Sequence, residues 1–92
     1  MIDVKCTSGG DPLTFDVVVR QGGGETRHQV SLDRELAKRL SDDHAAEQIV
    51  EAAFRFLLDR EPKESILTRF DLAVIARYFP EFEARLPDYL RL

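Results

Sequence analysis

Residues 15–32, FDVVVRQGGGETRHQVSL, alternate apolar and polar side chains on both sides of three consecutive glycines. Alternation at period two is the signature of a strand with one buried face, and glycines between two such runs make a hairpin. A two-residue turn on Gly23 and Gly24 would supply the positive φ angles that tight hairpins need. That turn predicts Val19 opposite His28, Val17 opposite Val30 and Phe15 opposite Leu32. One face then collects the apolar side chains, while Asp16, Val18 and Arg20 share the other with Arg27, Gln29 and Ser31.

Working outward, Ile2, Val4 and Cys6 repeat the same alternation. They predict a first strand with Ile2 opposite Val19, Val4 opposite Val17 and Cys6 opposite Phe15. The connection from Thr7 to Pro12 holds a proline that cannot donate to a ladder, so an irregular loop is expected there. After residue 33 the spacing becomes helical. A short helix is expected over about 34–40, with Leu36, Ala37 and Leu40 on one face and Asp33 as its cap. Ser41, Asp42 and Asp43 are read as the break and as caps of a longer helix over about 44–60, which Pro62 stops. In that helix Ile49, Ala52, Ala53, Phe56 and Leu57 form a stripe. Val50, Phe54 and Leu58 widen it to roughly 240° of the wheel, which demands cover on two sides. The second cover is expected from a helix over about 70–79 carrying Leu72, Ile75, Ala76 and Phe79. Lys63 to Leu67 reads as a short helical turn before it, and Pro80 as the first-turn proline of a last short helix.

The 92 residues hold 43 % hydrophobic and 33 % charged side chains, the composition of an ordinary globular domain. One domain over 1–92 is expected, a β-meander over 1–32 followed by a helical part over 33–92. Basic and acidic groups balance at six each in residues 1–40, but seven face eleven in residues 41–92. The acidic second half is a poor partner for phosphate backbones or anionic lipid, so neither nucleic acid nor membrane is expected as a partner. A single cysteine excludes an internal disulfide, and the first residues do not read as a signal sequence. No apolar run reaches the roughly 20 residues of a bilayer span, and a cytoplasmic location is the expectation.

The residues that could carry chemistry have plainer readings. Asp43, His44 and Glu47 resemble a ligand cluster, yet a metal needs three or four converging ligands, and acidic groups at a helix start usually favour its positive end. Cys6 falls mid-strand on the apolar face and reads as a small buried hydrophobe rather than a nucleophile. His28 reads as a packed histidine. Gly22 to Gly24 lie between two strands with no Lys-Ser or Lys-Thr following, so they are a turn and not a phosphate cradle. Glu47 and Glu51 share an exposed helical face. The arginines from Arg55 to Arg77 alternate with acidic residues as surface ion pairs do, although Arg69 and Arg77 flank an apolar helix and are candidate contacts for a planar anion. No catalytic, cofactor-binding or metal-ligating constellation is expected.

Two resemblances add to this reading. Residues 56–83, FLLDREPKESILTRFDLAVIARYFPEFE, resemble short uncharacterised bacterial proteins, chiefly through Asp59-Arg60-Glu61-Pro62 and Phe79-Pro80-Glu81. That resemblance implies no activity and no site residues. From His28 onward, HQVSLDRELAKRL, a polar break and AAEQIVEAAFRFLLDRE resemble the strand, helix, turn and helix of ribbon-helix-helix repressors and antitoxins over residues 28–61. The resemblance implies a strand paired across a dimer, with Arg27, Gln29 and Ser31 entering the major groove of DNA.

The resulting expectation is an α+β fold, a three-stranded antiparallel β-meander followed by three to five helices packed on one face. The expected function is a non-enzymatic protein-interaction or regulatory module that binds a protein partner or itself. Its candidate partner surface is the apolar surplus at Phe54, Leu58, Phe82, Leu86, Tyr89 and Leu90. The alternatives are the DNA-binding repressor and a small-anion binder using Arg69 and Arg77.

Overall fold

The computed structural model describes residues 1–91. Strands β1 (Ile2–Ser8), β2 (Leu13–Gln21) and β3 (Gly24–Leu32) pair antiparallel in that order. The β1 register is the expected one, with Ile2 opposite Val19, Val4 opposite Val17 and Cys6 opposite Phe15. The hairpin register differs. Its turn sits on Gly22 and Gly23, whose φ angles are 63° and 78°, so Gln21 faces Gly24 and Val17 faces His28. The expected pairing of Val17 with Val30 is corrected to Phe15 with Val30 and Leu13 with Leu32. Moving the turn by one residue shifts the pairing by two, which preserves which side chains share a face. It also lengthens the ladder to Leu13.

Helices α1 (Arg34–Leu40) and α2 (Ala46–Leu58) follow. Asp33 precedes α1 as expected but makes no side-chain cap bond. The expected start of α2 near His44, capped by Ser41 to Asp43, is also corrected. The Gln48 side chain accepts the Ala45 amide at 2.8 Å, while Ser41 Oγ bonds His44 Nδ1 at 2.8 Å and accepts the Asp43 amide. The Ser41 side chain is thus engaged within the break itself, and a glutamine inside the first turn of α2 accepts the amide at the helix entry.

The segment expected as one helix over 70–79 divides into three. Arg69–Asp71 forms strand β4, Leu72–Val74 a 3₁₀ turn and Ile75–Tyr78 the helix α3. Strand β4 pairs parallel to β3, Val30 opposite Phe70, so the sheet has four strands in the order β1-β2-β3-β4 and is mixed. A parallel neighbour needs a crossover, which α1 and α2 provide. The Asp71 side chain stops the strand by accepting the Ala73 amide at 2.9 Å, and it also accepts the Ser31 hydroxyl at 2.8 Å. A 3₁₀ turn at Lys63–Ser65 precedes β4, and helix α4 (Phe82–Leu90) ends the described chain, its start lying two residues beyond Pro80.

The core lies between one face of the sheet and α2. Phe15, Val17, Val19, Val30 and Leu32 meet Ile49, Val50, Ala53 and Phe54 there, all buried. The wide apolar surface of α2 is covered on its other side by α4, as its breadth demands. Burying Phe54 and Phe56 stabilises the fold by about 1.5–3 kcal/mol each. Cys6, expected to be buried, is exposed. Burial fades along β1 from half-buried Ile2 and Val4 to Cys6 because β1 is the outermost strand and the helical layer covers only its start. The outer face of the sheet, with Asp3, Lys5, Asp16, Arg27 and Gln29, is polar and exposed.

Candidate functional site

Two apolar regions are built where the end of α2 meets the residues after Pro62, and they differ in how they finish. In the first, the Phe56 ring is the hub. Phe82, Tyr89 and Phe79 pack edge-on around it, with centroids 5.1, 5.7 and 5.8 Å away. The Arg60 guanidinium lies over the same ring, 3.6 Å from its centre. Arg60 also donates to Glu81 at 3.1 Å and to the Tyr89 hydroxyl at 3.3 Å, and Tyr89 in turn donates to Asp59 at 2.6 Å. Burial works against the charged form of Arg60, but the bonds to Tyr89 and Glu81 outweigh it and leave its pKa raised. A backbone hydrogen bond at Glu81 itself, and then Arg60, hold the Glu81 carboxyl below its ordinary range. The region is sealed by a cation and its partners.

The second region stays open. Phe54 points toward the sheet, its ring 5.3 Å from His28 and 6.0 Å from Phe70. His28 is buried with both ring nitrogens engaged, Nδ1 at 2.7 Å from the Leu67 carbonyl and Nε2 at 2.9 Å from the Thr26 hydroxyl. It is a packed histidine that ties β3 to the loop before β4. Beyond Phe70 that loop and α3 enclose an apolar groove of about 450 Å³, floored by Leu57, Ile66 and Ile75. Leu67 and Tyr78 line it and are 50 % and 69 % exposed, two of the three large apolar side chains left exposed among the described residues. Glu61 and Ser65 give its rim a polar edge. An apolar depression of this kind can take apolar side chains and exclude water from them.

The candidate partner surface does not form as expected. Phe54, Phe82 and Leu86 are buried in the core, and Leu58, Tyr89 and Leu90 are half-buried against it. Arg69 and Arg77 are both exposed, but Arg69 stands on β4 at the polar face of the sheet and Arg77 on α3, and neither lines the groove. Arg27, Gln29 and Ser31 do lie on the outer face. Arg27 pairs with Glu25 at 2.8 Å, Ser31 is bonded to Asp71, and β3 is hydrogen-bonded to β2 on one edge and β4 on the other. Residues 29–31 therefore have no free edge for a ribbon paired across a dimer.

Leu67 and Tyr78 were not among the residues expected from the spacing. A signal for Tyr78 existed, because it falls off the face shared by Leu72, Ile75, Ala76 and Phe79. Leu67 carried none, since its exposure depends on β4 forming. Among the described residues no group of three or more histidine, cysteine or acidic side chains is placed to hold a metal ion, and no helix is long and apolar enough to cross a membrane. Comparisons with family models, curated proteins and solved structures gave no match. The resemblance of residues 56–83 to short bacterial proteins rests on those residues alone.

Proposed function

We propose that the protein is a non-enzymatic interaction module whose groove between α2, the loop at residues 65–68 and α3 receives apolar side chains of a partner protein. The carrying observation is the pair Leu67 and Tyr78, exposed at a groove whose floor is otherwise core. Covering apolar surface gains roughly 25 cal/mol per Å², so such a rim favours association. Phe79 lines this groove and packs on its other side against Phe56, where Arg60 and Tyr89 close the boundary that the groove leaves open.

Tagged wild-type protein and its Tyr78→Glu variant, used side by side as baits in extracts of the native host, test this reading. Wild type should retain a discrete partner that the variant loses while melting at the same temperature. Equal retention by both baits, or none by either, would contradict it.

A further inference from the structure

We infer that β1 is a self-association edge, through which two copies of the chain pair antiparallel about a two-fold axis at Val4. At the start of β1 the Met1 amine donates to the Arg20 carbonyl at 2.7 Å and the Arg20 amide donates to the Met1 carbonyl at 2.8 Å. This exchange marks the odd-numbered residues of β1 as those bonded to β2. The amides and carbonyls of Ile2, Val4 and Cys6 therefore turn outward, along an edge of the sheet that no strand covers among the described residues. An uncovered strand of seven residues is a template for another strand, and the identity of that strand is set by side-chain complementarity.

Only even-numbered residues can form the hydrogen-bonded pairs of such a junction, which leaves a few registers. With Val4 opposite Val4 of the second copy, Ile2 faces Cys6, and Asp3 faces Lys5 on both sides of the axis. These oppositely charged residues occupy the non-hydrogen-bonded positions, where side chains approach most closely. Sliding by two residues one way sets Lys5 against Lys5, and the other way Asp3 against Asp3. Like charges disfavour both. Lys5, which on an edge strand ordinarily blocks association, here disfavours the two neighbouring registers and finds an opposite charge in this one.

The occupied register also suits both faces. On the outer face Arg20 already bonds Asp3 and lies 3.1 Å from Glu25, so a second-copy Lys5 beside Asp3 extends a row of alternating charges. On the inner face half-buried Val4 meets its own copy, and half-buried Ile2 covers exposed Cys6. The two sheets become continuous, with the helices of both copies on one side.

Sedimentation velocity across a concentration series, with charge variants, reads the register. Wild type should dimerise. Lys5→Asp alone and Asp3→Lys alone should each raise the dissociation constant about tenfold or more, and the double swap should largely restore it. Because Lys5 also faces Asp16 within the chain, a second readout avoids charge. Val4→Cys in a Cys6→Ser background should oxidise to a covalent dimer, since directly opposed residues lie within disulfide reach. A wild type that stays monomeric at every concentration overturns the inference. So does a Val4→Cys variant that fails to cross-link, or wild-type dimers that cross-link readily through Cys6.

Discussion

Both apolar regions at the end of α2 draw on the same short tail, yet one is closed and the other is not. Around Phe56, three aromatic rings pack and Arg60 lies across the opening, bonded to Glu81 and to Tyr89, which in turn bonds Asp59. Around Phe70, the floor is equally apolar, but Leu67 and Tyr78 stand exposed with no such cover. Phe79 belongs to both, packing on Phe56 and lining the groove. Apolar content alone therefore does not separate a core from a binding surface. What separates them here is whether a polar group with its own partners completes the boundary.

The largest loss is expected from emptying the sealed side. Phe56→Ala should cost about 3–5 kcal/mol, enough to leave so small a domain largely unfolded, as read by a chemical denaturation curve. An unchanged midpoint would show that the aromatic hub carries no stability. On the open side, His28→Leu should cost about 1–3 kcal/mol, because it leaves the Leu67 carbonyl without its partner and frees the loop that carries the groove's rim. Faster amide hydrogen exchange at residues 65–68 is the accompanying signature, and unaltered exchange would contradict that role for His28.

A smaller effect is expected from the seal itself. Arg60→Met keeps much of the stem over Phe56 but loses the bonds to Glu81 and Tyr89, and should cost about 1 kcal/mol in a thermal melt. The same site has a pH signature. The folded Glu81 carboxyl is depressed from its ordinary value of 4.5, so its contribution is present above that value and is lost as pH falls through the folded one. Glu81→Gln should flatten that part of the acid-side stability profile, lowering stability slightly at neutral pH and leaving it unchanged below the folded value. The smallest stability change belongs to Tyr78→Glu, within about 0.5 kcal/mol of wild type, because the ring is 69 % exposed.

How far the sequence foretold these regions depends on whether each signal was local. The faces of β1, β2 and β3 and the extent of α1 follow from periodicity and appear as read. The hairpin register did not follow, because three consecutive glycines permit the turn at more than one place and the choice is made by the longer ladder to Leu13. Strand β4 is only three residues long and is created by the free edge of β3 and the burial of Phe70 against Phe54, neither of which a helical spacing reveals. Phe54 was read as surplus for the same reason. Without β4 the helix has one apolar side chain too many, and with it Phe54 has a place between His28 and Phe70. The sealed side was half legible: Phe82 and Tyr89 stood out as apolar surplus near the end of the chain, but Arg60 as their lid was read as a surface ion pair.

Photo-cross-linking in the native host from position 78 tests directly whether the open groove receives a partner. A benzoyl-phenylalanine replacing Tyr78 should give one discrete adduct with another protein. The adduct should be absent when the probe replaces exposed Glu35 on α1, and it should vanish when Leu67→Asp is added. No adduct from position 78, or the same adduct from both positions, would contradict the account and leave the open groove without a binding role.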